Sequence, residues 1–335
     1  LGTPAIGVDW KILLNTLKEV GVDWRDRKMI KQLYLRQTAT VRIQGSASRK
    51  LTIGQGVRQG CPLSPLLFSI YQETMMREAM EGLQEGINVG GNRIAEIRFA
   101  DDQAIIADSA DGLQRIMEKI DQTAGKFNMK INLKKTKVME ISKNEASNLD
   151  IQVRGTRLEQ VQRFRYLGTI IQANGGIDEE IKARLAMGRL ALEKRKELLN
   201  NGLDTKVKNR IIKAFVWSTA TYACETWTLK ESDKKRIEAF EMWIWRRSQG
   251  ISWRDRVTNE EVLNRVNETR QLLTAIKRRK KTWIGHALRR DGPMREVLEG
   301  RMRGKRTVGR RRQQLLDDIA VGGYRELKDR AQDRE

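Results

Sequence analysis

Cysteine, histidine and proline are scarce in this chain of 335 residues, which contains two, one and four of them, respectively. Two cysteines, Cys61 and Cys224, are too few for a disulfide framework or a Cys-rich zinc site, and they suit a reducing compartment. The single histidine, His286, excludes His-based metal centres, and Trp283 three positions earlier favours a packing role for it. With 39% hydrophobic residues and so few prolines, the composition is that of a globular protein.

Long apolar runs are also missing. No run approaches the roughly 18 apolar residues that a membrane-spanning helix needs. The first 14 residues have neither the charged start nor the cleavage pattern of a signal peptide. We therefore expect an intracellular protein of the nucleus or cytoplasm, with no membrane partner. Because the first residue is Leu rather than Met, we interpret the sequence as a fragment.

Positive charge is in large excess. The chain has 65 Lys and Arg against 43 Asp and Glu, a net charge of +22, which indicates a polyanionic partner. Residues 277–312 hold fifteen of the basic residues against three acids. Two clusters in this segment, KRRKK (277–281) and GKRTVGRRR (304–312), exceed what solubility requires and predict contact with a polyanion, either nucleic acid or an anionic membrane face. KRRKK also fits a nuclear-localisation pattern.

The periodicity of apolar residues changes along the chain. Up to about residue 173 it predicts mixed α and β structure, with two early helices capped by Asp9 and Asp23. From Ile177 onward the period is 3.6 almost throughout, so we expect helices and a boundary near 174–177. These helices are predicted over 178–200, 205–220, 231–248, 259–290 and 311–330. We expect the core between these helices to be filled by six tryptophans: Trp217, Trp227, Trp243, Trp245, Trp253 and Trp283.

The run 93–107 predicts a buried β-hairpin, because two strand-like segments are separated only by Asp101 and Asp102. Adjacent carboxylates repel each other, and a divalent cation such as Mg²⁺ relieves that repulsion. An Asp-Asp pair alone is most often an ordinary surface turn. Upstream, however, a glycine-rich loop (54–65) carries Arg58 and Gln59, which can reach phosphate, base or ribose. The combination favours a site for phosphoryl transfer.

Four segments in this order resemble motifs B to E of a reverse transcriptase: GVRQGCPLSPLLF (56–68), FADD (99–102), NMKINLKKTKVM (128–139) and FRYLG (164–168). They are most similar to those of non-LTR, LINE-like retrotransposons. The resemblance continues into YACETWTL (222–229) and KTWIGHALRRD (281–291). It implies an α+β fold. A polymerase palm with part of the fingers would occupy residues 1–175, and an all-helical thumb with a basic helical C-terminal extension would occupy 176–335.

The resemblance also implies roles for individual residues. Asp101 and Asp102 would hold catalytic Mg²⁺ or Mn²⁺. Lys135 would protonate the pyrophosphate leaving group, although a solvated lysine beside its basic neighbours is an equal alternative. Contacts with the incoming nucleotide, the template or the primer would come from Arg58, Gln59, Gly60, Phe99, Tyr166, Leu167 and Gly168. The partners would be an RNA template, a DNA primer, their hybrid and dNTPs.

Reverse transcriptases take a third carboxylate from motif A, on a strand upstream of motif B. The residues before Val8 contain no acid, so we expect motif A to lie outside this sequence and Asp9 to act only as a helix cap. Without it, we expect the chain alone to be inactive. The alternatives are a non-catalytic, nucleic-acid-binding remnant of such an enzyme or, if the motifs coincide by chance, an unrelated basic scaffold protein.

Overall fold

The computed structural model describes residues 7–142, 147–200, 202–300, 314–320 and 322–332. They fall into two compact units. One lies within Leu1–Glu140 and Ala146–Val161, and the other within Ile141–Glu145 and Gln162–Glu335. Among the described helices, none combines the length and the apolar character of a membrane-spanning segment. The assignment of palm and thumb to the two sides of residue 175 stays a prediction.

The first unit begins with two capped helices. The Asp9 carboxylate accepts hydrogen bonds from the N–H groups of Lys11 and Ile12, and Asp23 accepts one from Arg25, which confirms both predicted caps. The helices are α1 (Trp10–Glu19), α2 (Trp24–Tyr34), α3 (Ser64–Met80) and α4 (Ala110–Lys126). The strands are β1 (Thr38–Ala39), β2 (Arg42–Ile43), β3 (Ser46–Ala47), β4 (Leu51–Thr52), β5 (Ile87–Val89), β6 (Asn92–Ile94), β7 (Glu96–Phe99), β8 (Asp102–Ile105), β9 (Lys137–Val138), β10 (Gln152–Val153), β11 (Thr156–Arg157) and β12 (Glu159–Gln160).

These strands pair two by two in the described part of the unit. The antiparallel pairs are β1 with β4, β2 with β3, β5 with β6, β7 with β8 and β10 with β11, whereas β9 pairs in parallel with β12. The run 93–99, expected as one strand, is divided. Its first part turns back at Gly90 and Gly91 to form the β5–β6 hairpin, since both glycines adopt the positive φ that such a turn needs.

Helices α3 and α4 supply most of the core of this unit. Tyr71 on α3 is fully buried, and its hydroxyl donates a hydrogen bond of 2.6 Å to the carbonyl of Phe127, just after α4. The rings of the two residues meet edge to face. Burial raises the pKa of Tyr71 to about 12, so this hydroxyl remains a donor over the whole physiological range.

The second unit opens with one hairpin and is otherwise helical in its described part. Its strands are β13 (Arg163–Tyr166) and β14 (Thr169–Gln172). Its helices are α5 (Asp178–Glu193), α6 (Lys196–Asn200), α7 (Thr205–Ile211), which continues through a π-helical segment (Ile212–Trp217) into α8 (Ser218–Ala220), α9 (Glu231–Ser248), α10 (Asn259–Val266), α11 (Leu272–Arg289), α12 (Pro293–Glu299) and α13 (Tyr324–Gln332).

Most predicted helices of this unit are present, but three are interrupted. The expected helix 178–200 divides at residues 194–195 into α5 and α6. The expected helix 259–290 breaks after α10, because Asn267 takes a left-handed conformation (φ 52°) that ends a helix. The expected helix 311–330 is represented by α13 alone, which starts after Gly322 and Gly323. The basic cluster 304–312 lies outside the described residues.

Tryptophans fill the core of the second unit, with one exception. Trp217, Trp227 and Trp245 are buried beside Phe240 on α9. The prediction is wrong for Trp253, which is 84% exposed in a 3₁₀ turn between α9 and α10.

One lysine of the KRRKK cluster does not face solvent. Lys280 is completely buried, and its ammonium donates hydrogen bonds to the Trp227 carbonyl (2.7 Å) and to Asp318 (2.6 Å). Burial lowers the pKa of Lys280, and the Asp318 carboxylate opposes that shift. Lys280 therefore serves the interior of the unit, and only the other members of the cluster can contact a polyanion.

Glu299 connects α12 to α13 and makes this contact sensitive to acid. Its carboxylate accepts hydrogen bonds from Lys328 and from the Tyr324 hydroxyl (2.7 Å) on α13, and from Arg295 (2.9 Å) on its own helix. Lys328, then Tyr324 and Arg295, lower the pKa of Glu299 from 4.5 to about 2. A depressed pKa stabilises the folded state above pH 4.5, and this contribution is lost as the pH falls towards 2.

We therefore expect Glu299→Gln to lower the melting temperature at pH 7, by an amount equivalent to about 1 kcal/mol. The difference from wild type should shrink below pH 4.5 and vanish near pH 2. Thermal unfolding of both proteins across this pH range tests it. A difference that stays constant with pH would show that the charge of Glu299 contributes nothing.

Candidate active site

The Asp-Asp pair lies at the tip of the β7–β8 hairpin. Phe99 pairs with Asp102, so the two-residue turn consists of Ala100 and Asp101. Ala100 has a left-handed conformation (φ 50°), as such tight turns require. Asp102 is therefore the first residue of β8 rather than part of the turn, which differs by one residue from the predicted placement. The hairpin itself is where the sequence predicts it.

This hairpin is more exposed than expected. Phe99 is 63% exposed, and Ile97 on the same strand is also exposed. The physical reason is that β7 and β8 form a two-stranded ladder with no third strand beside them in the described residues. The tip, including Phe99, is thus open to a ligand.

A charged network attaches the base of the hairpin to α3. The Arg98 guanidinium contacts Glu73 on α3 (2.9 Å) and Glu96 on its own strand (3.1 Å). Burial raises the pKa of Glu96, and Arg98 opposes that shift. This network fixes the position of the strand that leads to the two aspartates.

Asp101 and Asp102 provide a donor set that suits a hard divalent cation. Within the described part of the chain, neither carboxylate has an ion-pair or hydrogen-bond partner, and no group of three His, Cys, Asp or Glu side chains is gathered at one point. Two carboxylates supplemented by water and substrate phosphates are the usual ligands of Mg²⁺. The two residues therefore fit the metal that the motif implies.

A small cleft of about 30 Å³ adjoins this tip. It is lined by Asp101 and Gln103 of the hairpin, by Gln72 of α3 and by Lys130. The buried Oε1 of Gln103 has no hydrogen-bond partner among the described residues. Asp101, the cationic Lys130 and the amide oxygen of Gln103 therefore line the same cleft.

The cleft residue Lys130 was missed by the sequence analysis, which singled out Lys135 in the same motif. Lys135 is exposed in a turn, where its backbone N–H donates to the carbonyl of Asn132 (3.1 Å). Both lysines belong to the segment NMKINLKKTKVM, so only their positions within it could have distinguished Lys130 from Lys135. The role assigned to Lys135 stays a prediction.

The glycine-rich loop is fastened at its start. The Trp10 indole donates to the Gly56 carbonyl (2.8 Å), and the Gly56 N–H donates to Val8 (2.8 Å). Farther along, Arg58 donates to the Leu33 carbonyl at the end of α2 (3.0 Å). One side of the Arg58 guanidinium is thereby used within the protein.

The rest of the loop is exposed. Gln59 and Gly60 lie on the surface, and Gly60 has a φ of 86°, a conformation that favours glycine. The Cys61 thiol follows, and the backbone N–H of Leu63 lowers its pKa. The segment then enters α3 at Ser64 with Pro65 in its first turn, where the fixed φ of proline suits the start of a helix.

In the second unit, Leu167 and Gly168 form the turn of the β13–β14 hairpin, and Tyr166, expected in the turn, is the last residue of β13. Leu167 (φ 48°) and Gly168 (φ 82°) both have positive φ, as a two-residue turn requires. Arg184 on α5 holds this turn by donating to the Gly168 carbonyl (2.5 Å). Tyr222 donates to the Leu167 carbonyl (3.2 Å).

The arginine that holds this turn is itself anchored. Its guanidinium contacts Glu180 (2.6 Å) and lies 4.3 Å from the centre of the Tyr222 ring. Glu180 is buried and also accepts a hydrogen bond from the Ile170 N–H on β14 (2.8 Å). The sequence analysis missed Arg184, Glu180 and Tyr222 because nothing in the sequence shows that they meet the hairpin.

Comparison with known families agrees with this geometry. Residues 7–171 match the family model described as reverse transcriptase (RNA-dependent DNA polymerase). This range includes the glycine-rich loop, the β7–β8 hairpin and most of the β13–β14 hairpin. An unrelated basic scaffold protein is therefore the wrong interpretation.

Individual relatives point in the same direction. The chain is similar to a transposon-derived protein of Caenorhabditis elegans, with 27% identity over 241 residues, which is 70% of this chain and 86% of that protein. It is similar to a Pol polyprotein from the type-1 retrotransposable element R2 of Nasonia vitripennis (25% identity, 52% of this chain). It is also similar to an RNA-directed DNA polymerase from the mobile element jockey of Drosophila funebris (24% identity, 68% of this chain). The chain spans only 18% and 25% of the last two.

Proposed function

We propose, from the premise that residues 7–171 belong to the reverse transcriptase family, that this chain is part of the RNA-directed DNA polymerase domain of a non-LTR retrotransposon, which copies RNA into DNA once a motif A carboxylate completes its site. The observation that carries the proposal is the β7–β8 hairpin, which presents Asp101 and Asp102 at an open tip. The relatives named as retrotransposon polymerases support the same function.

Asp101 and Asp102 would hold a divalent cation, Mg²⁺ or Mn²⁺. Such a cation would supply neutralisation of charge on the dNTP phosphates and activation of the primer 3′-hydroxyl. Arg98 contributes indirectly, since its contacts with Glu73 and Glu96 fix the strand that leads to the tip. Lys135, the residue that the motif implies, supplies a proton to the pyrophosphate leaving group. Lys130 in the adjoining cleft is the second candidate for that role.

Substrates and primer contact the two exposed turns. The surface residues Gln59 and Gly60, with Arg58, line the nucleotide and the template, where a glycine backbone permits close approach. Tyr166, Leu167 and Gly168 contact the primer strand. Basic side chains of the helical unit hold the RNA–DNA hybrid through its backbone, which requires no recognition of bases.

Primer extension tests this function. The chain, joined to a motif A segment that supplies the third carboxylate and provided with an RNA template, a labelled DNA primer, dNTPs and Mg²⁺, should lengthen the primer by copying the template, whereas the chain alone should not. Addition of EDTA should stop the reaction, and excess Mg²⁺ should restore it, because the carboxylates act only through the cation.

A binding assay in the same samples separates the alternatives. Absence of extension with salt-dependent binding to RNA retained would favour the non-catalytic remnant. Absence of both primer extension and RNA binding would contradict a nucleic-acid function for this chain.

A further inference from the structure

Trp253 is the most exposed large hydrophobic side chain in the described part of the protein, at 84%. Its exposure does not reflect a loose segment. The Ser252 hydroxyl accepts a hydrogen bond from the Arg254 N–H, and the Asp255 carboxylate accepts one from the Ser252 N–H (2.6 Å). This reciprocal cap fixes the 3₁₀ turn and so fixes the position of the indole.

Leaving an indole in water is costly when a core is available. Burying a large apolar side chain is worth about 1.5–3 kcal/mol, and the same unit buries Trp227 and Trp245 almost completely. A single exposed apolar residue is nevertheless common and needs no explanation by itself. The charges around Trp253 are what distinguish it.

One cation lies beside this indole, and a second follows closely in the sequence. The Arg254 guanidinium lies 5.7 Å from the centre of the Trp253 ring, and Arg256 is exposed two positions later. Neither guanidinium has an acidic partner among the residues that the structure describes. The only acid in the turn, Asp255, is used by the cap. The turn thus combines an exposed aromatic face with two cations available for phosphate.

The same tetrapeptide, WRDR, occurs a second time, at the start of α2 rather than in a 3₁₀ turn. In the segment 24–27, Trp24 is 57% exposed and is the first residue of α2, directly after the cap residue Asp23. Arg25 again lies 5.7 Å from the ring, and Lys28 lies 6.0 Å from it. Local sequence therefore suffices to present an indole with cations beside it.

We propose that Trp253, Arg254 and Arg256 form a binding site for single-stranded nucleic acid. One base stacks on the indole and the two guanidinium groups contact the flanking phosphates. This is the combination by which proteins bind single strands without reading their sequence. The inference rests on the proposed function only in taking nucleic acid as the partner. A protein partner is less suited, since Ser252, Asp255 and Thr258 make the surroundings polar.

Substitution of the aromatic ring gives the first test. By fluorescence anisotropy with a labelled oligouridylate, Trp253→Ala should weaken binding by about 5- to 150-fold, the range expected for loss of one stacked base. Trp253→Phe should retain most of the affinity, because a ring remains. On duplex RNA, Trp253→Ala should change little, since bases within a duplex are already stacked. Val297→Ala, which truncates another exposed apolar residue of the same unit, is the matched control.

The salt dependence of binding distinguishes the contribution of the Trp253 ring from that of the two guanidinium groups. The paired substitution Arg254→Gln and Arg256→Gln should reduce the slope of log affinity against log salt by about 1.4, or 0.7 per phosphate contact. Trp253→Ala should leave that slope unchanged. Unaltered single-strand affinity in Trp253→Ala, or an equal loss on single strands and duplex, would overturn the proposal. Unaltered affinity with reduced self-association in sedimentation would assign Trp253 to a contact between protein copies instead.

The outcome is independent of polymerase activity. A chain that fails to extend primers but loses single-strand affinity in Trp253→Ala would retain this site and lack the proposed enzymatic function. A chain that extends primers while Trp253→Ala binds like wild type would retain the function and lack the site.

Discussion

In the chain completed by a motif A segment, Asp101→Asn is expected to lower the rate of primer extension by about three orders of magnitude. Asn has the shape of Asp but no negative charge, so it is a poor ligand for Mg²⁺. A metal ion supplies several kcal/mol of transition-state stabilisation, and each 1.36 kcal/mol corresponds to a tenfold change in rate. The loss should appear in kcat, with a shift to higher Mg²⁺ concentration for half-maximal rate.

The fold should survive this substitution. The Asp101 carboxylate has no ion pair or hydrogen bond with another described residue, and the turn depends on the backbone of Ala100. Asp108→Asn is the matched control, because Asp108 is an exposed acid that follows β8. It should extend primers like wild type. If Asp101→Asn extended primers at the wild-type rate, the tip of the β7–β8 hairpin would not be part of the catalytic site.

Arg184→Ala is expected to destabilise the second unit by about 3–5 kcal/mol, the usual cost of removing one partner from a buried ion pair. The change leaves the carboxylate of Glu180 buried without its guanidinium. It also removes the hydrogen bond to the Gly168 carbonyl and the contact with the ring of Tyr222. The β13–β14 turn should become mobile as a result.

Denaturant unfolding measures the loss of stability, and hydrogen exchange of the Ile170 amide, which donates to Glu180, reports on the hairpin directly. Lys182→Ala on the same helix is the control. Lys182 is exposed and forms a surface pair with Asp178, so its removal should cost less than about 1 kcal/mol. A loss in Arg184→Ala as small as that of the control would show that this pair does not hold the turn.

Helix caps, helix limits and tight turns were predictable where they depend on residues that are close in the sequence. Asp9 and Asp23 cap their helices as expected, and α9 has its predicted limits of 231 and 248. The two-residue hairpin turn at FADD follows from short strand-like runs on either side, whereas the turn at FRYLG was expected only from the family resemblance. In each case, the stabilising hydrogen bonds join residues a few positions apart.

The sequence by itself determined the family, since four motifs in a fixed order identify a reverse transcriptase domain. It also placed Asp101 at the tip of the β7–β8 hairpin and, through the family resemblance, Gly168 in a turn, but it assigned Asp102 to the turn, whereas Asp102 begins β8. Tertiary structure alone decided that Lys280 is buried against Asp318 while Trp253 is exposed, and that Arg184 fastens the β13–β14 turn. The physical reason is distance along the chain. Lys280 and Asp318 are 38 positions apart, and Tyr222 and Leu167 are 55 apart. No local pattern specifies such partners, because burial depends on how whole helices pack.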